Sequence, residues 1–366
     1  MSLEGQIYAR EYKIGDIHHE NLNDLIIMDR SNLEFPDYSL DELSKEADYL
    51  KRDLSQLHSS QKGGSRIHLG IGGGIGAGKT TITRSVQRWI QGARLEERTD
   101  GPGLNCLYSK GGKPIFGFPY QFIVGGDRGK IMSMMDGLTL SAVIDRPWEE
   151  DYLFSLNFNR MIVDKENNIK ALSDNQFKYV SKYITRKVAE HSPLNIRIEL
   201  QASDEVLTNR INERNRKIEI EGAIKKLSDE EVHDMIIMKE KYMVDAIKEH
   251  APTELEEFKS KLVGYDTPNE IEFEGSPPKY IIGLNSVYPE YPKVLSEVFH
   301  DKGILLRLNV DPKNGIDVRE NIRGHIPIMK ALKEAAIFHL LRNHYRVFEK
   351  RNNKGLKIIP PWEVIY

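Results

Sequence analysis

The sequence predicts an α/β protein, a parallel sheet with helices covering it, and three observations carry that expectation. Short apolar runs alternate with helical segments from residue 66 onward, one run feeds directly into a glycine-rich turn, and an amphipathic helix follows that turn at once. The runs are "IHLGI" at 67 to 71, "SAVID" at 141 to 145, "NIRIEL" at 195 to 200 and "ILLRLNV" at 304 to 310. With one short strand ahead of Glu96 they imply a core built on a five-stranded parallel sheet.

Residues 1–63 precede the glycine turn as an N-terminal extension, closed by the polar linker "HSSQKGGS". Within it, "SLDELSKEADYLKRDLSQL" opens with a capping box, Ser39 to Glu42, and repeats Leu40, Leu43, Ala47, Leu50 and Leu54 at helical spacing. One amphipathic helix packed on this chain is expected. Residues 64–250 form the core, and 251–300, rich in proline, glycine and acid, read as an insertion with small elements of its own. Residues 301–366 supply the last core strand and a long helix, "IPIMKALKEAAIFHLLRNHYRVF", with Ile328, Leu332, Ala335, Ala336 and Leu340 on its buried face.

Composition narrows the function classes. With 366 residues, 39% of them hydrophobic, the chain can bury a sizeable core, and a formal net charge of −3 gives no electrostatic case for nucleic acid or an anionic membrane. No run approaches the roughly 18 apolar residues of a membrane span, and the start lacks the apolar stretch of a signal peptide, so a cytoplasmic location is the expectation. A single cysteine, Cys106, excludes an internal disulfide.

The glycine turn is the sharpest signal. Gly73 to Thr80, "GGIGAGKT", satisfies G-x-x-x-x-G-K-[ST], with a strand before it and a helix after it whose apolar stripe is Ile82, Val86, Trp89 and Ile90. Backbone N–H groups of Gly73, Gly74, Ile75, Gly76, Ala77, Gly78, Lys79, Thr80 and Thr81 can turn around phosphate oxygens. Lys79 would neutralise the β- and γ-phosphates, and Thr80, helped by Asp145 at a strand end, would ligate Mg²⁺, so ATP with Mg²⁺ is the expected nucleotide. A guanine-reading Asn-Lys-x-Asp is missing, and the Asp-x-x-Gly match "DGPG" at Asp100 has no such partner, which argues against a GTPase. Arg146 follows Asp145 where hydrolytic motors carry glutamate, which argues against a motor. A kinase acting on a small acceptor remains.

Several further stretches, taken in order, resemble the deoxynucleoside kinase family. They are "GIGAGKTT", "LYSKGGKPIFGFPYQFIVGGDR", "VIDRPWEEDYLFSLNF", "LQASDEVLTNRINERNRKIE" and "ILLRLNVD", covering roughly residues 66 to 248 and 303 to 311. The resemblance implies transfer of the ATP γ-phosphoryl group to the 5′-hydroxyl of a deoxynucleoside, a small-molecule partner, and by the family's habit a homodimer. The same fold could instead serve another nucleoside or a metabolite hydroxyl, or a nucleotide-binding regulatory protein with a decayed base.

Roles carried over by resemblance attach to single positions. Arg210 and Arg214 lie four apart on one helix face, with Arg216 just past the expected helix end, and would close over the triphosphate. Arg146 would contact phosphate and the general base, which is Glu97 or its neighbour Glu96. Glu97 fits the family spacing better, although Arg98 stands where a proline is usual. Gln121, whose amide offers donor and acceptor together, would grip the base edge with Arg128, seven residues on, and with Asp151 or Glu150. Its neighbours Phe116, Phe118, Pro119 and Tyr120 would either stack on the base or build core. Tyr108 and Glu219, with Glu221 as the alternate, would hold the deoxyribose, and Asp311 would lie beside the donor adenine. Pro147 replaces the family's serine, and the loop after it is one residue shorter.

Overall fold

The computed structural model describes residues 9–11, 20–22, 25–30, 39–58, 66–96, 101–109, 112–164, 169–221, 224–272, 278–311, 322–343, 345–350 and 355–359. At its centre is a seven-stranded sheet in the spatial order Glu20–Leu22, Leu25–Arg30, Ile304–Asn309, Ile196–Gln201, His68–Gly73, Ala142–Asp145, Ala93–Leu95. Every neighbouring pair is parallel except the first, where Glu20–Leu22 runs antiparallel to Leu25–Arg30. The five expected strands are all present and contiguous, so the parallel α/β core expected of a P-loop kinase is there, but five strands are corrected to seven. The two added strands come from the N-terminal extension. "LIIMDR" stands outside the alternation that begins at residue 66, yet it docks on the ready edge of Ile304–Asn309 and buries Leu25, Ile26 and Met28 there.

Side-chain alternation divides the sheet into two unlike faces. One face is apolar: Leu69, Ile71, Ile196, Ile198, Leu200, Ile304, Leu306 and Leu308 pack with buried residues of the helices Leu40–Leu57, Lys79–Ile90 and Ile322–Arg342. The other carries Gly70, Gly72, Arg197, Glu199 and Arg307 in register across neighbouring strands. Its charges are buried in partnership. Arg197 pairs with Glu149 and, at 2.5 Å, with Asp301, while Arg307 Nε donates to Glu199 at 3.0 Å. Left single, such a charge would cost about 3–5 kcal/mol, so these pairs fix which segments cover this face. Those segments are the helices Glu150–Arg160 and Pro278–Val287 and the turns after the latter, which contribute Leu153, Phe154, Leu284, Val287, Tyr288 and Tyr291 to one apolar cluster.

The extension's helix forms where expected. Ser39 and Glu42 close the capping box, and Leu43, Ala47, Leu50, Leu54 and Leu57 are buried, chiefly against Ile322–Arg342. Each buried leucine contributes about 1.5–3 kcal/mol, whereas Leu40, expected in the stripe, is 78% exposed because it stands in the first turn, ahead of the contact. Lys333 reaches back to Asp53 at 2.8 Å in a buried pair between the two helices. Ile328, Leu332, Ala335, Ala336 and Leu340 are buried as the periodicity predicts. In the insertion, strand Glu270–Glu272 pairs with Ile224–Lys226, and Phe258 and Tyr265 set their rings edge-on to Phe116 at 6.4 and 4.9 Å. Residues 251–300 therefore pack on the core at several places. The linker 59–65 lies outside the described residues. Among the described residues, no helix is long and apolar enough to cross a membrane.

His58, at the end of the extension's helix, is fully buried, and burial with the nearby His339 lowers its pKa to about 3, while His339 is lowered to about 4 by burial and Arg342. Unfolded histidines titrate near 6.5, so the unfolded chain binds these protons first. Stability is full above about pH 6.5 and is lost as pH falls through the window down to the folded values. By pH 5 the loss from His58 alone is about 2 kcal/mol. Melting temperatures measured from pH 7 to 4.5 should fall, and His58→Leu should flatten the slope; an unchanged slope would remove His58 as the cause.

Candidate active site

The phosphate loop is built by backbone sterics. Strand His68–Gly73 ends at Gly73 with φ 136°, where a Cβ would stand 2.5 Å from the Leu200 carbonyl oxygen. Gly76 (φ 84°) and Gly78 (φ 93°) take the left-handed turns that bring the chain into helix Lys79–Ile90, whose Ile82, Val86, Trp89 and Ile90 are buried. The helix N-terminus thus opens on the loop, where unpaired N–H groups and the helix dipole favour an anion. Lys79 Nζ donates to the carbonyls of Gly73 at 2.8 Å and Gly74 at 3.1 Å. Thr80 Oγ1 donates to Asp145 Oδ2 at 2.7 Å. A hydroxyl and a carboxylate so placed suit Mg²⁺, which takes hard oxygen ligands and is commonly held by one or two carboxylates together with substrate phosphates.

Beyond Asp145 the chain turns sharply. Arg146 has φ 66°, a left-handed backbone rare for a side chain of its size, held by its N–H on the Ile71 carbonyl at 2.9 Å and by Arg128 Nη1 on its own carbonyl at 3.0 Å. Its guanidinium lies 4.5 Å over the Phe154 ring. Pro147 packs on Gly70, where a Cβ would come within 2.5 Å of the proline ring. Arg128 Nε pairs with Asp151, both deeply buried, at 1% and 7% side-chain exposure. Glu150, one residue earlier on the same helix, points elsewhere, as consecutive helical residues diverge by about 100°. Its Oε1 accepts from Gly73 N–H at 2.6 Å and from the Tyr288 hydroxyl at 3.0 Å. Burial pushes the Glu150 carboxyl up to about 7, against the lowering pull of Lys79, Arg146, the Gly73 amide and Tyr288. Of the two acids left open by the sequence, Asp151 is the one that faces Arg128.

Gln121 lies seven residues before Arg128 on helix Gly112–Gly137, half-buried, with Nε2 donating to Gly117 O at 3.3 Å. Phe116 and Phe118 are buried among Phe258, Tyr265 and Phe122, so these two build core. Pro119 is buried within the helix and Tyr120 is half-buried.

On the other side of the loop, Arg210 donates to Gly76 O at 3.3 Å and Val310 O at 3.1 Å, tying helix Asp204–Glu221 to the phosphate loop and to the end of the last core strand. That helix runs on to Glu221, which corrects the expected end before Arg216. The eleven residues after Arg210 make three more turns because nothing in "INERNRKIEIE" breaks a helix. Arg214, Arg216, Glu219 and Glu221 lie on it, and their side chains, like that of Tyr108, are outside the described residues. Asp311 is buried, its Oδ2 accepting from the Ser203 hydroxyl at 2.6 Å. Glu96 follows strand Ala93–Leu95 directly and pairs with Arg94 at 3.3 Å and, more loosely, Arg84 at 3.9 Å, whereas Glu97 lies outside the described residues.

Sequence reasoning missed two connections. The Arg128 bond to the Arg146 carbonyl leaves no mark in a sequence, since it ends on backbone. The Glu150 bond to Gly73 does leave one: Gly72, outside the motif, has no room for a Cβ because the Glu150 carboxylate fills that space.

No protein-family model matches the chain, and no curated protein is found similar to it. Among solved structures it is similar to deoxyadenosine kinase from M. mycoides. With bound dATP that structure is 17% identical, the match covers 73% of this chain and 99% of that one, and the TM-score is 0.44. With the products dCMP and a flexible dCDP the values are 17%, 73%, 100% and 0.43; with bound dCTP they are 16%, 73%, 100% and 0.40.

Proposed function

We propose that the protein transfers the γ-phosphoryl group of ATP to the 5′-hydroxyl of a deoxynucleoside, with purine deoxynucleosides and deoxycytidine preferred. What supports the reading is one continuous path of contacts. Thr80 of the loop bonds Asp145, the next residue is Arg146, its carbonyl accepts from Arg128, and Arg128 pairs with Asp151. A phosphate cradle and a buried ionic pair suited to a base edge are thereby joined through one sharp turn.

In this reading the loop amides hold the triphosphate, except that of Gly73, which was expected on phosphate and is instead bonded to Glu150, and Lys79 leaves the Gly73 and Gly74 carbonyls for the β- and γ-oxygens. Thr80 and Asp145 would hold Mg²⁺, which would supply charge neutralisation to the triphosphate. Glu97, with Glu96 as the alternate, takes the proton of the acceptor hydroxyl as its oxygen bonds the γ-phosphorus, and the bond to the β-phosphate oxygen breaks to release ADP. Arg146, Arg210, Arg214 and Arg216 face the charge that spreads over the transferring group. Gln121, Arg128 and Asp151 read the base, Tyr108 and Glu219 the sugar, and Asp311 the donor adenine.

Labelled ATP offered with a panel of nucleosides tests this directly: label should appear on a deoxynucleoside. Label on another acceptor, or on none, would overturn it. The register of the base is tested separately. Glu97→Gln should lower kcat by about 10²-fold or more with little change in nucleoside affinity, while Glu96→Gln stays close to wild type. The reverse order would move the base to Glu96.

A further inference from the structure

The phosphate-loop motif requires neither a glycine at 72 nor a tyrosine at 288, yet both serve one carboxylate. Glu150 Oε1 receives the Gly73 N–H at 2.6 Å and the Tyr288 hydroxyl at 3.0 Å, and Gly72 is bare of a Cβ where that carboxylate sits. The carbonyl of the same Gly73 receives Lys79 Nζ at 2.8 Å. The first residue of the cradle is therefore gripped through its N–H and its C=O alike. Glu150 and Tyr288 are both buried, and the charged or titratable groups facing the carboxylate are Lys79 from the loop helix, Arg146 from the turn after its strand, and Tyr288 and Tyr291 from the segment that follows Pro278–Val287.

We propose that Glu150 and Tyr288 are positioning residues for the phosphate loop: Tyr288 fixes the carboxylate, and the carboxylate fixes the Gly73 amide from which the cradle and Lys79 are hung. The inference rests on the phosphate-site reading above and deepens it, since it makes residues 278–291 part of the donor site. When the triphosphate draws Lys79 away from the Gly73 and Gly74 carbonyls, those bonds are given up and the Glu150 bond is kept. The loop then stays in its binding shape without reorganising as the nucleotide arrives. Buried hydrogen bonds to a carboxylate in so dry a place are stronger than in water, so one phenolic hydroxyl is enough to matter.

The test uses the full chain and three variants: Tyr288→Phe, which removes only the hydroxyl, Glu150→Ala, which removes the acceptor, and Glu150→Gln, whose amide oxygen still accepts from both donors. Amide hydrogen exchange across residues 72–79 is followed in the unliganded protein, the Kd for MgADP is measured, and KM is determined for ATP and for the acceptor. Tyr288→Phe and Glu150→Ala should speed exchange in 72–79 severalfold and raise the MgADP Kd and the ATP KM about 10-fold, with the acceptor KM unmoved. Glu150→Gln should restore most of the difference. Wild-type exchange and wild-type Kd in Tyr288→Phe would overturn the proposal even if Glu150→Ala failed to fold, and a Glu150→Gln protein as impaired as Glu150→Ala would overturn the hydrogen-bonding role. A wild-type protein that binds no MgADP would bring down the phosphate-site reading instead, and loop exchange would still decide whether the pair positions Gly73.

Discussion

Lys79→Ala is expected to lower kcat by about 10³-fold or more while leaving the fold intact. The lysine sits at the mouth of the helix and not in the core: its ammonium touches two loop carbonyls, at 2.8 and 3.1 Å, and fills no apolar space. Removing it forfeits two hydrogen bonds to the carbonyls of Gly73 and Gly74, on the order of 2 kcal/mol in all. Its loss in the reaction is larger because charge on the transferring group rises as the bond to the β-phosphate breaks, and an interaction that strengthens at that point acts on kcat more than on binding. Single-turnover transfer from labelled ATP, with a melting curve on the same preparation, separates the two effects. A variant with normal melting and near-wild-type turnover would remove Lys79 from the chemistry and the kinase reading with it.

The parts of this molecule legible in the sequence are those where one local pattern decides the structure. The cradle was legible because positive φ at Gly76 and Gly78 and close approach at Gly73 admit little but glycine. The helix after it was legible from the spacing of Ile82, Val86, Trp89 and Ile90, and the extension's helix from its capping box and leucine repeat. Asp145 could be placed at a strand end because "SAVID" is short, apolar and abruptly acidic.

Other features depend on partners distant in the chain, and there the sequence is silent or ambiguous. Arg197 and Glu199 look like polar interruptions of a buried strand; their opposite charges come from far off in the chain, Glu149 and Asp301 for one and Arg307 for the other. "LIIMDR" becomes a strand because Ile304–Asn309 offers an edge, which no window around residue 25 can show. Glu149, Glu150 and Asp151 are three adjacent acids, and the motif resemblance favours Asp151 but leaves Glu150 open. The helix turn sends them to Arg197, to Gly73 and to Arg128 respectively, three different neighbourhoods within one turn.

The Arg128–Asp151 pair is where the largest stability effect is expected, and it carries the expected base preference as well. With both side chains almost wholly buried, removing one partner takes the ion pair from the other's buried charge, so Arg128→Leu or Asp151→Leu alone should cost about 3–5 kcal/mol. The arginine variant loses in addition its bond to the Arg146 carbonyl and should be the more damaging of the two. Replacing both by leucine leaves no stranded charge, so the double variant should melt well above the sum of the single losses, a coupling that a double-mutant cycle reads directly. The same pair presents a fixed positive charge beside an acceptor, and a base bearing a ring acceptor next to an exocyclic amino group satisfies both. Adenine, guanine and cytosine have such an edge. Thymine offers a ring N–H, carbonyls and a methyl group, which leaves the pair uncompensated and crowds it, at about 1–3 kcal/mol, or roughly 10-fold and upward in kcat/KM. Purine deoxynucleosides and deoxycytidine should therefore outrun thymidine on the wild-type protein, and the double variant, folded but without charges to satisfy, should close most of that gap. Measured kcat/KM for four deoxynucleosides on both proteins decides it: a wild-type preference for thymidine, or a gap that survives the double substitution, would show that the base is read somewhere other than at Arg128 and Asp151.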